Sequence, residues 1–437
     1  RLEKLPEKYL DILESKMREY IAAGYEFEER QVSVEQIRHF DYKRFQVLMS
    51  SPRNKVRIYD LCGFPHWFIS PLTPNASHIR LFRMTPYENG FVLEFPCMMS
   101  PDKILPFTPS PKLFHVIRES EARGDFLGIR HVSDLNERAL SGNHMEAIHL
   151  YEALHEKKIA AIADAITARP EVRFVFIAGP SSSGKTTSMK RLSLQLRING
   201  LKPKHLSLDD YFVDRAQTPR DENGDYDYEH FDAIDHALLD AQLTDLMDGK
   251  GVHIPRFRFD IGKKEFDSER TELHSDEILI LEGIHGLNPG LALLIPENKK
   301  FRIYISALTQ LNFNLYNRVS TSDTRLLRRM YRDSQFRGHS MEQTLMRWPS
   351  VRRGEDRWIF PYQENADAHI NSALEYEWSV FSGIMHDPLA AIPDDSPVKT
   401  EAEHLCRLME LFVPFRYDKI PSTSILQEFL GGSSFVY

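Results

Sequence analysis

The spacing of apolar positions changes character near residue 172. Before that point the pattern is mixed. Residues Glu7 to Ala23 are amphipathic at helical spacing, and short β-rich runs follow at Lys55–Tyr59 and Phe91–Phe95. Pro96, Pro101, Pro106, Pro109 and Pro111 then crowd a short stretch, which suits an irregular connector. Residues 112–168 read as helix; the stretch from His144 to Arg169 ends on Ile159, Ile162 and Ile166 and is stopped by Pro170. From Val172 onward, apolar runs at Phe174–Ala178, His205–Leu208, Ile278–Leu281 and Phe301–Ile305 alternate with helical stretches. Continuous apolar strands separated by helices predict a parallel sheet covered by helices on both faces, an α/β fold. Glu401–Phe412 and Ser422–Phe429 read as helices packed back onto it. The expected division is a smaller α+β region with its Pro-rich connector (1–111), a helical linker (112–170), the α/β domain (171–385) and a helical extension (386–437).

Composition narrows the classes. A chain of 437 residues with 42% hydrophobic and 27% charged residues is built to bury cores, and its length suggests more than one domain. The net charge of −8 argues against a nucleic-acid or anionic-membrane partner along the whole surface, but leaves room for a local basic site. Cys62, Cys97 and Cys406 are few and scattered, as free thiols in a reducing compartment would be. The most apolar window, Ile278 to Ile295, is broken by Glu282, His285, Asn288 and Pro289, so no membrane span is expected. The first residues are polar and lack the apolar core of a signal peptide, which points to the cytoplasm. Residue 1 is Arg rather than Met, as in a piece of a longer chain.

One motif decides the chemistry. Gly179, Pro180, Ser181, Ser182, Ser183, Gly184, Lys185 and Thr186 fit GxxxxGK[ST], between an apolar strand and a helix that includes Thr187. Such a loop curls backbone N–H groups around phosphate oxygens; its Lys reaches the β- and γ-phosphates and its hydroxyl binds Mg²⁺. Asp209, just past the second strand, can accept a proton from an attacking hydroxyl, although an Asp there can also be a turn cap. Glu282 ends an apolar strand, as does the carboxylate that holds Mg²⁺ in such folds.

Charge is distributed unevenly. Ten arginines and no lysine lie from Arg318 to Arg357, against five acids. Arg325, Arg328, Arg329 and Arg332 fall on one helical stripe, with Leu326, Leu327 and Met330 opposite. Like charges at this spacing cost roughly 0.2–0.5 kcal/mol per pair, so the stripe requires a partner: a triphosphate, or neighbouring acids. Between the two acidic strand ends, Tyr226–Asp235 and the run Ile254–Phe259 mix carboxylates with aromatics, which suits hydroxyls and a stacked base.

Together these residues resemble the uridine kinase and phosphoribulokinase family over about residues 172–375. The likeness rests on the phosphate loop, Asp209, Asp232, Ile-Pro before the aromatic pair, Leu-Glu-Gly-Ile at 281–284, Asp-Thr-Arg-Leu-x-Arg-Arg-x-x-Arg-Asp at 323–333, and Ala366-Asp367. The resemblance implies a P-loop kinase using ATP and Mg²⁺ to phosphorylate a nucleoside, uridine first. Asp209 would deprotonate the 5′-hydroxyl and Asp232 would grip the ribose. Thr186 and Glu282 would serve Mg²⁺. Arg329 would hold the nucleoside, and Arg332 and Arg337 would reach over the ATP phosphates from a lid. Lys185 and Arg332 would share the catalytic work with Asp209. A small-molecule nucleoside is then the expected partner; a homo-oligomer is compatible with it.

Two departures touch the acceptor. Phe212 stands where the family's uridine/cytidine kinases carry Tyr, and Gly262 where they carry a base-contacting His, leaving stacking by Phe257 and Phe259. Extra sequence also precedes the lid, from Thr309 to Ser322. The N-terminal region resembles part of the editing-like domain of threonyl-tRNA synthetase, through Asp60-Leu61-Cys62-Gly63-Phe64-Pro65-His66. The synthetase's companion His-x-x-x-His does not stand ahead of it here, so Cys62 and His66 read as structural. Long bacterial uridine-kinase homologues carry such a domain. Two other readings stay open: a kinase for another hydroxyl acceptor, and a regulatory RNA-binding P-loop protein. Glu229, Asp232 and Asp235 favour a neutral acceptor over an anionic one. Residues 1–60 hold acids and bases in near balance, against an RNA-binding stripe.

Overall fold

The computed structural model describes residues 7–39, 46–47, 55–97, 100–221 and 224–436. Two compact units divide the chain: Arg1–Ser110 with Phe313–Asn317, and Pro111–Asn312 with Arg318–Tyr437. The helices of residues 111–167 and those after residue 386 belong to the second unit. No helix among the described residues is long and apolar enough to cross a membrane.

In the smaller unit, helix Glu7–Ala23 packs Leu10, Met17 and Ile21 against Phe82 and Met84. Strands Glu28–Ser33, Lys55–Leu61 and Phe64–His66 form an antiparallel sheet, and Arg83–Tyr87 pairs with Gly90–Glu94 as a hairpin. The first strand, mostly exposed and polar, carries no apolar alternation to reveal it. Cys62 sits at the exposed tip of the turn between its neighbouring strands, with φ of 54°, while Asp60 accepts from the Gly63 N–H at 2.8 Å. The motif's residues thus build a tight hairpin. Among the described residues no cluster of three or more His, Cys, Asp or Glu side chains could hold a metal.

The larger unit is built on a five-stranded parallel sheet. Its order is Ala368–Asn371, Lys300–Ser306, Phe174–Ala178, Glu277–Glu282, Lys202–Ser207. Alternate residues of the central strands enter different cores. Val175, Ile177, Ile278 and Ile280 pack with Ile159, Ile162, Met189 and Leu192 from two helices on one face. Phe174, Phe176, Leu279 and Leu281 pack with Leu239, Leu243 and Leu246 on the other. The expected sheet with helices on both faces is therefore present, with small differences. The strand expected at His205–Leu208 runs from Lys202 to Ser207 along a sheet edge, where exposure lets polar residues and Pro203 stand without an apolar run. The expected helix Ser422–Phe429 is only the short turn Gln427–Leu430.

Strand order places chemistry. The chain passes from the central Phe174–Ala178 to one side of the sheet and later to the other, so the crevice at a topological switch point opens beside that strand's carboxyl end. Glu282 is in register with Ile177 on one side and Ser207 on the other. The phosphate loop, Glu282 and the turn carrying Asp209 consequently converge.

The arginine stripe lies on a helix and finds acids as partners. Helix Thr321–Phe336 buries Arg325 and Arg328 completely. Arg325 Nη2 donates to Glu355 at 2.8 Å, and Arg328 Nη2 donates to Glu377 at 2.9 Å. The same guanidinium groups reach the outward carbonyls of the phosphate loop: Arg325 donates to Ser181 O at 3.1 Å and Arg328 to Ser182 O at 3.3 Å. Two of the four arginines are therefore neutralised one to one by buried carboxylates and turned to the back of the loop. Removing one member of a buried pair strands the other charge and typically costs 3–5 kcal/mol, whereas an apolar replacement of both costs less. Glu377→Ala should accordingly lower the urea midpoint of the larger unit by the equivalent of about 3–5 kcal/mol, and Arg328→Met with Glu377→Leu should recover most of it. A loss under about 1 kcal/mol in Glu377→Ala would show that the pair does not hold the loop.

Candidate functional site

A cavity of about 730 Å³ opens over the phosphate loop. Ser181, Ser182, Ser183, Gly184, Lys185 and Thr186 form its floor, at the start of helix Lys185–Ile198. Gly179 and Pro180 lie behind this wall, where their carbonyls accept from Lys185 Nζ at 3.1 and 3.3 Å. The lysine is thus folded back on its own loop. Thr187 is buried, and its N–H and hydroxyl both donate to Glu428, at 2.9 and 2.8 Å.

Carboxylates converge on Lys185. Asp209 rides a 3₁₀ turn, Leu208–Tyr211, and its own N–H donates to the capping Ser207 hydroxyl at 3.2 Å. Its side chain meets cavity solvent, yet protein surrounds the cavity; this surrounding mass raises its pKa, with Lys185 and Arg337 opposing. Glu282 is pushed up to about 7 by burial, with Asp209 and Glu428 adding to the rise and Lys185 opposing it. Glu229 also lines the cavity and is pushed up to about 7, by burial first and then by Glu355. The base of its side chain is pressed against Gly354, where a Cβ would fall 2.4 Å from the Cβ of Glu229. Only glycine permits that seat.

Three arginines face the same space: Arg329, Arg332 and Arg337. Asp333, itself buried, gathers them, with Arg329 Nε at 3.3 Å, Arg332 Nη2 at 3.0 Å and Arg337 Nε at 3.7 Å. Arg329 also donates to the Ser181 hydroxyl at 2.8 Å. One carboxylate against three guanidinium groups leaves positive charge facing the loop.

On another side of the cavity, Phe212, Tyr228 and Phe259 form an aromatic wall. Phe212 meets Tyr228 and Phe259 edge to face, with centroids 6.3 and 6.2 Å apart. Phe257 does not join the wall. It is buried in the core beneath Phe212, because strand Pro255–Arg258 alternates and turns Phe257 inward. Asp232 is likewise outside: its side chain is 68% exposed and lies 3.3 Å from His236, while Glu229, three residues earlier, occupies the cavity. Gly262 is no wall residue either; it caps the hairpin against Arg215, whose N–H donates to its carbonyl at 2.9 Å. The sequence reading missed Glu229, Tyr228, Phe336, Glu428 and Phe435, all on the wall. Tyr228 and Glu229 stood within the aromatic–acidic stretch already singled out; Phe336, Glu428 and Phe435 carried no local signal.

The oxygens at the loop suit a small hard dication. Thr186 Oγ1 donates to Glu282 Oε2 at 3.2 Å, placing one hydroxyl and one carboxylate together at the phosphate loop. Two protein oxygens with phosphate and water completing the shell is how Mg²⁺ is usually held in such sites, so the donor set fits.

Comparison with known proteins then fixes the lineage. The profile described as Phosphoribulokinase / Uridine kinase family matches residues 174–377. A uridine kinase of Staphylococcus aureus is 32% identical over 193 residues, which are 44% of this chain and 83% of that protein. The chain belongs to this kinase family. Among solved structures, a possible uridine kinase from Bacillus stearothermophilus superposes with a TM-score of 0.29 and 22% identity, over 34% of this chain and 79% of that one. D-glycerate 3-kinase from Cryptococcus neoformans gives a TM-score of 0.24 and 17% identity, over 61% and 89%. TM-scores this low carry no argument about this kinase.

The raised acid at Glu229 has a consequence for stability. Its folded pKa, about 7, lies above the ordinary 4.5, so the folded kinase keeps a proton that the unfolded chain releases in this window. Stability should fall as pH rises through it. The melting midpoint of the wild type should drop relative to that of Glu229→Gln between about pH 5 and pH 8. Parallel curves would mean that Glu229 stays ionised throughout.

Proposed function

We propose that this protein is an ATP- and Mg²⁺-dependent nucleoside kinase acting on the 5′-hydroxyl, with uridine as the first acceptor. The observation that carries the reading is the meeting of Asp209, the phosphate loop and an aromatic wall in one cavity. Lys185 would leave the carbonyls of Gly179 and Pro180 for the β- and γ-phosphates, exchanging two weak bonds for charge-assisted ones. Asp209 would accept the proton of the acceptor hydroxyl as its oxygen bonds to the γ-phosphorus. The bond from that phosphorus to the β-bridging oxygen breaks, and ADP leaves. Arg329, Arg332 and Arg337 would spread the charge that develops on the transferred group. Mg²⁺, held at Thr186 and Glu282, would neutralise β- and γ-oxygens. Glu229 takes the place first given to Asp232 as acceptor of sugar hydroxyl protons. Positioning and electrostatics account for most of the acceleration in such transfers.

A neutral acceptor is favoured because Glu229 and Asp209 flank its place, and an anion there would meet both. A second reading, a kinase for a different small polyhydroxylated acceptor, gains support from the wall itself. Phe212 lacks a hydroxyl, and Gly262 is spent on the Arg215 turn, so stacking is the main contact left for a base. For the smaller unit, the synthetase-like reading rests on Asp60–His66 alone. A cytoplasmic role in pyrimidine salvage follows from the uridine reading.

Asp209→Asn should lower turnover by about 10² to 10⁴ while ADP affinity changes less than about twofold. Product analysis with a panel of nucleosides and simple sugars separates the two readings. Phosphorylation of a sugar but of no nucleoside would replace the first with the second.

A further inference from the structure

The stretch from Ile425 to Phe435 lies on the phosphate loop, far in sequence from the kinase motifs. Ile425 packs so tightly on Gly184 that a Cβ there would fall 2.4 Å from its Cγ2. Phe429 is fully buried beneath the guanidinium group of Arg328, 5.2 Å from its ring centroid. Phe336 closes against Gly431. Gln427, Glu428, Gly431, Gly432, Ser433 and Phe435 then form one wall of the cavity.

Within that wall Glu428 makes an unusual contact. Its Oε2 accepts from both the N–H and the hydroxyl of Thr187, at 2.9 and 2.8 Å. Thr187 belongs to the first turn of the helix that follows the loop, where free N–H groups and the helix dipole favour an anion. A phosphate entering over Lys185 and Thr186 would seek the same donors. Two anions cannot share them, and Glu428 already adds to the crowd of carboxylates formed by Glu282 and Asp209 about Lys185.

We propose that Glu428 is a built-in competitor of nucleotide phosphate: its carboxylate fills the Thr187 donors until a phosphate displaces it. Nucleotide binding is thereby coupled to a shift of the stretch Ile425–Phe435, which walls the cavity. The inference rests on the nucleotide reading above. It differs in sign from a merely structural role: a cap or a nucleotide contact predicts weaker binding when Glu428 is lost, and a competitor predicts tighter binding.

The test is calorimetric titration of ADP and of adenosine into wild type, Glu428→Gln and Glu428→Ala, with melting curves to establish that each is folded. Glu428→Gln keeps the size and an oxygen acceptor but not the charge. Hydrogen bonds to charged groups contribute enough that ADP should bind on the order of tenfold more tightly in both variants. Adenosine has no anion to meet Thr187, so its affinity should not change. ADP affinity that is unchanged or weaker in folded variants, or an equal gain for adenosine, overturns the competitor. If none of the three proteins binds ADP, the nucleotide reading itself fails, and the inference with it.

Discussion

The phosphate-binding loop depends on what holds its back. To aim N–H groups inward, the loop must turn carbonyls outward, and buried carbonyls need donors. Arg325 and Arg328 supply them at Ser181 and Ser182, and the Ser372 hydroxyl supplies another at Ser183 O, at 2.5 Å. Buried guanidinium groups in turn need carboxylates, which Glu355 and Glu377 provide. Glu355 closes the circuit by accepting the Ser181 N–H at 3.0 Å. A loop that stood alone would have to order itself around each incoming phosphate. Here two ion pairs order it beforehand.

The same arrangement sorts the charges of the arginine helix. Positions facing the loop's back are neutralised one to one, while Arg329, Arg332 and Arg337 share the single carboxylate of Asp333. The local excess visible in composition is thus concentrated on the cavity side. Opposite it stand Asp209, Glu229 and Glu282, whose pKa values are raised chiefly by burial. The proposed anionic donor with its dication would bring both signs to a cavity that holds both, and would relieve each set with the other.

Much of this was legible in the sequence, and the limits follow from distance along the chain. The phosphate loop, Glu282 and Asp209 are local patterns at strand ends, and the sheet places strand ends together. The arginine spacing correctly gave a helix. It could not say which arginines face phosphate, because that depends on Glu355 and Glu377, which pair across 30 and 49 residues. Phe257 and Phe259 look alike in sequence; Phe257 is turned inward by the strand, and Phe259 is exposed because the strand ends at Arg258 and the chain turns there. Asp232 and Glu229 differ by one 3₁₀ turn, Phe231–Ala233, which leaves Asp232 in solvent. Glu428 meets Thr187 across 241 residues, beyond the reach of any local pattern.

The exchange of Asp232 for Glu229 bears on the acceptor. An exposed carboxylate bonded to His236 could contribute little to recognition, because water competes for it and screens it. Glu229 is recessed, backed by Gly354 and flanked by Arg329, so a hydroxyl that reaches it replaces water in a confined space. Its raised pKa means that near neutrality it offers both an acceptor oxygen and, in part of the population, a proton. A hydroxyl can satisfy either form, while an ionised carboxylate or phosphate group can bond only the protonated one. The proposed neutral acceptor would thus meet a recessed acid, Glu229, together with Asp209, while Phe212, Tyr228 and Phe259 limit the shape of what can reach them.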